Sequence, residues 1–160
     1  MKRNISSTIL VAGVVICVVA LTAASKTGSD LRSQLIGGWR NVYVKVSIHA
    51  KGKPDAVMQA DSSNWEKRLG IKPIRTHFLE DGTYYSEYFN LKDNIVRRPE
   101  GTWSLKGDSL IMTELKPDKS VLKLHLAITG DHAVFHGMID FDGEGVDNDE
   151  YFGIQKSINK

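Results

Sequence analysis

The stretch Leu122-Lys123-Leu124-His125-Leu126-Ala127-Ile128-Thr129-Gly130-Asp131-His132-Ala133-Val134-Phe135-His136-Gly137-Met138-Ile139 alternates apolar and polar residues, strictly before its Gly-Asp pair and more loosely after it. A period of two is the mark of a strand with one buried face. Gly-Asp between two such runs suits a two-residue hairpin turn. With the turn at Gly130-Asp131, Leu126 faces Phe135 and Leu122 faces Ile139. The inward side then collects Leu122, Leu124, Leu126, Ile128, Ala133, Phe135, Gly137 and Ile139, with the small Ala133 and Gly137 leaving room among larger side chains. A slip of one residue would reverse both faces.

The same pattern extends in both directions. A turn at Gly107-Asp108 sets Leu105 against Leu110 and Trp103 against Met112, leaving Thr102, Ser104 and Thr113 outside with Ile111 as an apolar exception. Val42, Val44, Val46 and Ile48 interleave with Tyr43, Lys45, Ser47 and His49 in the first strand. Further strands are expected at 74–80, 83–90, 100–106, 109–115, 120–128, 132–140 and 149–156, eight in all. Short connections such as Asp81-Gly82 imply antiparallel neighbours, and eight meandering strands can close into an up-and-down β-barrel without free edges. The connection from Lys51 to Pro73 is too long for a hairpin. Within it, Ser63-Asn64-Trp65-Glu66 reads as a capping box and Gly70 as the residue after a short helix. Trp65 and Leu69 share one face of that helix, which either lies across the barrel mouth as a lid or plugs the barrel end.

The N-terminus reads as an address. Lys2 and Arg3 precede an apolar run from Ile9 to Leu21, and Thr22-Ala23-Ala24-Ser25 offers small residues for a peptidase. That order is expected of a secretory signal peptide over 1–24, cleaved after residue 23, 24 or 25 and delivering a secreted or periplasmic protein. An uncleaved membrane anchor and lipidation at Cys17 are the alternatives, and the membrane is a partner only if the leader stays. Residues 25–33 read as a polar tether and 34–160 as the barrel domain. Cys17 is the only cysteine, so the mature chain carries neither disulfide nor thiol nucleophile.

Charge narrows the function classes. Of the +2 formal charge, Lys2 and Arg3 supply all; from Lys26 onward 19 basic residues face 19 acidic ones. A nucleic-acid binder shows a basic excess, and none is left. The charges are unevenly spread, with a net of +5 over 26–80 and −7 over 131–155, stretches that would neighbour each other where the last strand meets the first.

Leu35-Ile36-Gly37-Gly38-Trp39-Arg40 carries a Gly-x-Trp at the start of the first strand. Followed by eight meandering strands, it resembles a lipocalin, more closely the short bacterial lipocalin-like domains. His77-Phe78-Leu79-Glu80-Asp81-Gly82-Thr83-Tyr84 and Gly101-Thr102-Trp103-Ser104-Leu105-Lys106-Gly107-Asp108-Ser109-Leu110 resemble hairpins of those domains, and the resemblance spans residues 34–156. It implies that Trp39 closes the barrel base, that Gly37 gives the chain room to pass, and that a basic residue of the last strand, here Lys156, stacks on the tryptophan. It also implies a small hydrophobic or amphipathic molecule held in the barrel.

Candidates for cavity lining or lid are Trp65, Leu69, Phe78, Tyr84, Trp103, Met112, Leu124, Leu126 and Phe135. One parity of Tyr84, Tyr85, Tyr88 and Phe89 must face inward. A filled barrel that meets protein partners through loops 51–73 and 141–149 is the competing reading. No catalysis is expected: Gly-x-Ser-x-Gly, P-loop and His-Glu-x-x-His motifs are absent. His77, Glu87 and Arg75 would make an acid–base set only if they faced inward. No cofactor is expected either. His125 and His136 fall opposite each other on the outer face, without a third ligand. Asp140, Asp142 and Glu144 match the opening of a calcium loop, but Tyr151 stands where its closing glutamate belongs.

Overall fold

The computed structural model describes residues 28–158, so the leader and its cleavage sites lie outside the described residues. Helix α1 (Gly28–Leu35) precedes β1 (Gly37–Ile48) and β2 (Ala56–Asp61). Helix α2 (Trp65–Leu69) leads into β3 (Arg75–Phe78), β4 (Thr83–Phe89) and β5 (Ile95–Arg97). The remainder is β6 (Glu100–Lys106), β7 (Ser109–Lys116), β8 (Ser120–Thr129), β9 (His132–Ile139) and β10 (Asp149–Ser157). Eight antiparallel strands, in the order β1, β3, β4, β6, β7, β8, β9, β10, close into a barrel because β10 pairs with β1. Among the described residues, neither helix is long and apolar enough to cross a membrane.

Two strands were not expected. β2 lies inside the stretch read as a loop with one helix, and β5 is a short ribbon on the end of β4. β2 exists because β1 outruns β3: Gly37 to Arg40 pair with β3, while Tyr43 to Ile48 pair with β2 on the same edge. The helix after it begins one residue later than a capping box at Ser63 requires. Asn64 is its N-cap but makes no side-chain cap bond. Instead Asp61 Oδ1 accepts from Ser63 N and Oγ, and Asn64 Oδ1 accepts from Asp61 N, an Asx-type turn that competes with the box. Gly70 ends the helix in the left-handed region, as its position predicted.

Both hairpin registers hold. Leu105 pairs with Leu110, Trp103 with Met112, Leu126 with Phe135 and His125 with His136. Leu124, Leu126, Ile128, Ala133 and Phe135 are buried, whereas Lys123, His125 and Ala127 are exposed.

Within the segment read as a tether, residues from 28 onward form α1, which packs on β6 and β8 across one end of the barrel. Leu31 and Leu35 are buried there with Trp39, Phe78, Trp103 and Leu110. Hydrophobic spacing explains the miss: within a polar octapeptide only these two residues, four apart, carry the apolar stripe. Trp39 closes this base and donates its indole N–H to Leu35 O at 2.7 Å. Gly37, at φ 125°, makes the bend between helix and strand in a region that L side chains avoid. Lys156, the base expected to stack on Trp39, pairs with Asp131 at 3.3 Å. The stacked cation belongs to α1, where the Arg32 guanidinium lies 4.4 Å from the Trp103 ring and donates to Glu80 O.

Truncation tests whether α1 is structural. Leu35→Ala should lower unfolding free energy by about 2–5 kcal/mol in urea denaturation, as for a well-packed core leucine. A tether would predict no change.

Candidate functional site

Packing divides the barrel along its axis. The base is filled by the Trp39 layer. Above it, toward the ends of β1, β4, β7 and β9, a cavity of about 470 Å³ opens, within the range of small-molecule sites. Its apolar wall includes Met112, Leu122, Leu124, Phe135 and Ile139 from β7 to β9. Val44 and Val46 line it from β1 and Met58 from β2, while Trp65 and Leu69 of α2 complete that side. A second depression, about 620 Å³, lies on the outer face of β1, β10 and β9 among Lys45, His136 and Glu150, and is surface rather than interior.

Of the nine expected lining residues, Trp65, Leu69, Phe78, Met112, Leu124 and Phe135 stand on the cavity wall. Tyr84, Trp103 and Leu126 do not; all three are buried in the core, Trp103 beside Arg32 of α1. Strand parity identified them as inward-facing but could not tell which inward side chains border open space. The room expected from Gly137 and Ala133 is absent as well. A Cβ on Gly137 would stand 2.8 Å from Lys123 O and 3.0 Å from Leu124 Cδ2, so this glycine admits the neighbouring strand. Ala133 is fully buried in the base. Trp65 is buried with Val44, Val46 and Ala60 and also lines the cavity.

The polar part of the wall was missed in the sequence. Asn41, Thr76, Ser86 and Gln155 are all buried and line the cavity. They occupy four neighbouring strands, β10, β1, β3 and β4, and form one arc above the Trp39 layer. The cause of Asn41's inward position is a register shift between Asn41 and Tyr43. Trp39 and Asn41 face in below it, Val44 and Val46 above it, so the Val42-Val44-Val46 alternation hides a bulge at Val42. Gln155 Nε2 donates to Asn41 Oδ1 at 3.2 Å, and Thr76 and Ser86 share a hydroxyl hydrogen bond at 2.9 Å. Tyr151 hydrogen-bonds Asn41, and burial pushes its phenol up to about 12. Burial also raises the Tyr88 phenol. At the rim, Arg97 contacts Glu114 at 2.9 Å and lies 5.6 Å from the Tyr88 ring.

The other candidate clusters lie away from this cavity. Arg75 and His77 pair with Glu87 and Tyr85 across β3 and β4, opposite in parity to the inward Thr76, Phe78, Tyr84 and Ser86. His77 stacks on Tyr85 at 4.6 Å and stands 3.9 Å from Glu87, on the outer face. His125 and His136 stack at 5.0 Å, also outside.

In the acidic loop, Asp140 and Asp142 group with Asp149 rather than with Glu144, oxygens within 4.8 Å. These carboxylates accept backbone amides. Asp149, fully buried, receives N–H from His49, Phe141 and Asp142, bonds that hold its carboxyl below the ordinary aspartate range, His49 contributing most. Asp140 accepts from Gly145 N and Asp142 from Glu144 N. Glu144 turns to Lys51 N and Asn148 Nδ2. The acidic loop therefore meets the end of β1 through the amides of His49 and Lys51.

Tyr151 offers a readout of the cavity. Its folded pKa exceeds the ordinary phenol value of 10.0, so its burial stabilises the fold below pH 10 and that contribution is lost as pH rises toward about 12. In an alkaline absorbance titration, Tyr151→Phe should remove one phenol from the late-ionising group. Loss of a phenol that titrates near 10 would contradict its burial.

No model of a known protein family matches the chain, and no curated protein matches it. The likeness to lipocalins consequently rests on architecture, a closed eight-stranded antiparallel barrel consistent with a calycin-like fold.

Proposed function

We propose that this is an exported binding protein that holds one small hydrophobic or amphipathic molecule in the upper barrel, without catalysing a reaction. The carrying observation is the coexistence of a filled base and an open upper cavity in one barrel. Eight strands leave space for packed side chains or for one small ligand. Here the space is used both ways. A base sealed by Trp39, Leu35 and Phe78 leaves one end of the cavity for access. That end is bordered by α2, by Arg97 and by Phe141. The filled-barrel alternative draws its support from the base alone and leaves the upper cavity without a role.

Leu122→Trp separates the two readings. Into a packed interior the added volume would cost about 1–3 kcal/mol. Into the cavity it should cost little, yet reduce uptake of a neutral environment-sensitive dye by at least tenfold in a fluorescence titration. Loss of stability with no dye uptake by wild type would overturn the binding reading.

A further inference from the structure

The cavity has two chemically different walls. Its β7–β9 side is apolar, built from Met112, Leu122, Leu124, Phe135 and Ile139, while the β10–β1–β3–β4 side carries the arc of Asn41, Gln155, Thr76 and Ser86. Most members of this arc satisfy one another. Thr76 and Ser86 share a hydrogen bond, and Asn41 takes the Gln155 amide hydrogen. Two atoms of residues that line the cavity do not. Gln155 Oε1 is a buried acceptor without a donor, and Trp65 Nε1 is a buried donor without an acceptor, among the described residues. Both side chains are more than nine-tenths buried and both line the cavity. A buried polar atom left unpaired is costly, and a native site is expected to complete it.

Charge is balanced at the same site. Among the described residues, the one cationic side chain on the wall, Arg97, is held by Glu114 at 2.9 Å, with Asp118 at 3.8 Å. An anionic ligand would have to compete with Glu114 for that guanidinium, and no acidic side chain among the described residues lines the cavity to receive a cation. Enclosing an unpaired charge against Leu122, Leu124 and Ile139 is disfavoured far more than enclosing a neutral hydrogen-bonding group.

Resting on the binding reading above, we propose that the ligand is an uncharged amphiphile whose head group both donates and accepts hydrogen bonds, of the carboxamide or alcohol class, and not an ionised fatty acid or amine. The head donates to Gln155 Oε1 and accepts from Trp65 Nε1, and the apolar body lies against the β7–β9 wall.

The test is competitive displacement of a neutral dye from the mature protein at pH 7 by decanamide, decanol, decanoate and decylamine, with equal chain lengths so that only the head differs. Dye binding by itself checks the cavity, and its absence overturns both the binding reading and this one. With dye bound, decanamide and decanol should displace it at concentrations at least about tenfold below decanoate and decylamine. Gln155→Met and Trp65→Phe should each weaken decanamide severalfold more than they weaken the dye, by removing one partner. Equal or tighter binding of decanoate would assign the site to Arg97 and overturn the proposal. Equal displacement by all four would leave a purely apolar cavity and overturn it as well.

Discussion

The pairing of β1 with β10 is the contact on which the rest depends. It turns an open sheet into a barrel and removes the two long edges that an eight-stranded meander would otherwise expose. β1 can make that seam and still pair with β3 and β2 on its other edge because it runs for 12 residues. The seam also contains the bulge between Asn41 and Tyr43. One extra residue there exchanges inside for outside halfway up the strand. Below the bulge the interior receives Trp39 and Asn41; above it, Val44 and Val46. The tryptophan floor, the polar arc and the apolar upper wall thus meet at one backbone irregularity.

Closure at the base is a separate contribution from α1. Trp39 alone does not fill the end; Leu31 and Leu35 pack beside it, and the Trp39 indole hydrogen is spent on Leu35 O. Arg32 covers Trp103 from outside. At the opposite end Asp149 performs the comparable service for the loops, because a single buried carboxylate accepts amides from both the β1 end and the 140–148 turn. Charge-assisted bonds of this kind are stronger than neutral ones. The acidic loop is accordingly a fastening between β9, β10 and β1.

Legibility in the sequence followed the physics of each feature. Period-two alternation with Gly-Asp turns is a local signal, and the registers about Gly107-Asp108 and Gly130-Asp131 followed from it directly. The barrel class followed from counting such strands. What alternation cannot carry is which inward side chains border open space, and so Tyr84, Trp103 and Leu126 were grouped with the cavity although they are packed in the core. Nor can it reveal a bulge whose flanking residues keep the alternation, as Val42, Val44 and Val46 do; Asn41 and its partner Gln155 were invisible for that reason. β2 escaped because its exposed Val57 and polar Gln59 give little contrast between faces. Gly137 was read as room, when its missing side chain answers to the Lys123 carbonyl.

The central claim is that one barrel is closed below Asn41 and open above it. Titrating methyl-labelled protein with decanol and following methyl chemical shifts addresses this directly. Shifts should concentrate at Val44, Val46, Leu122 and Ile139 and be absent at Leu35, Leu110 and Ile128. No shifts at any concentration, or shifts centred on Leu35 and Leu110, would contradict the division of the interior.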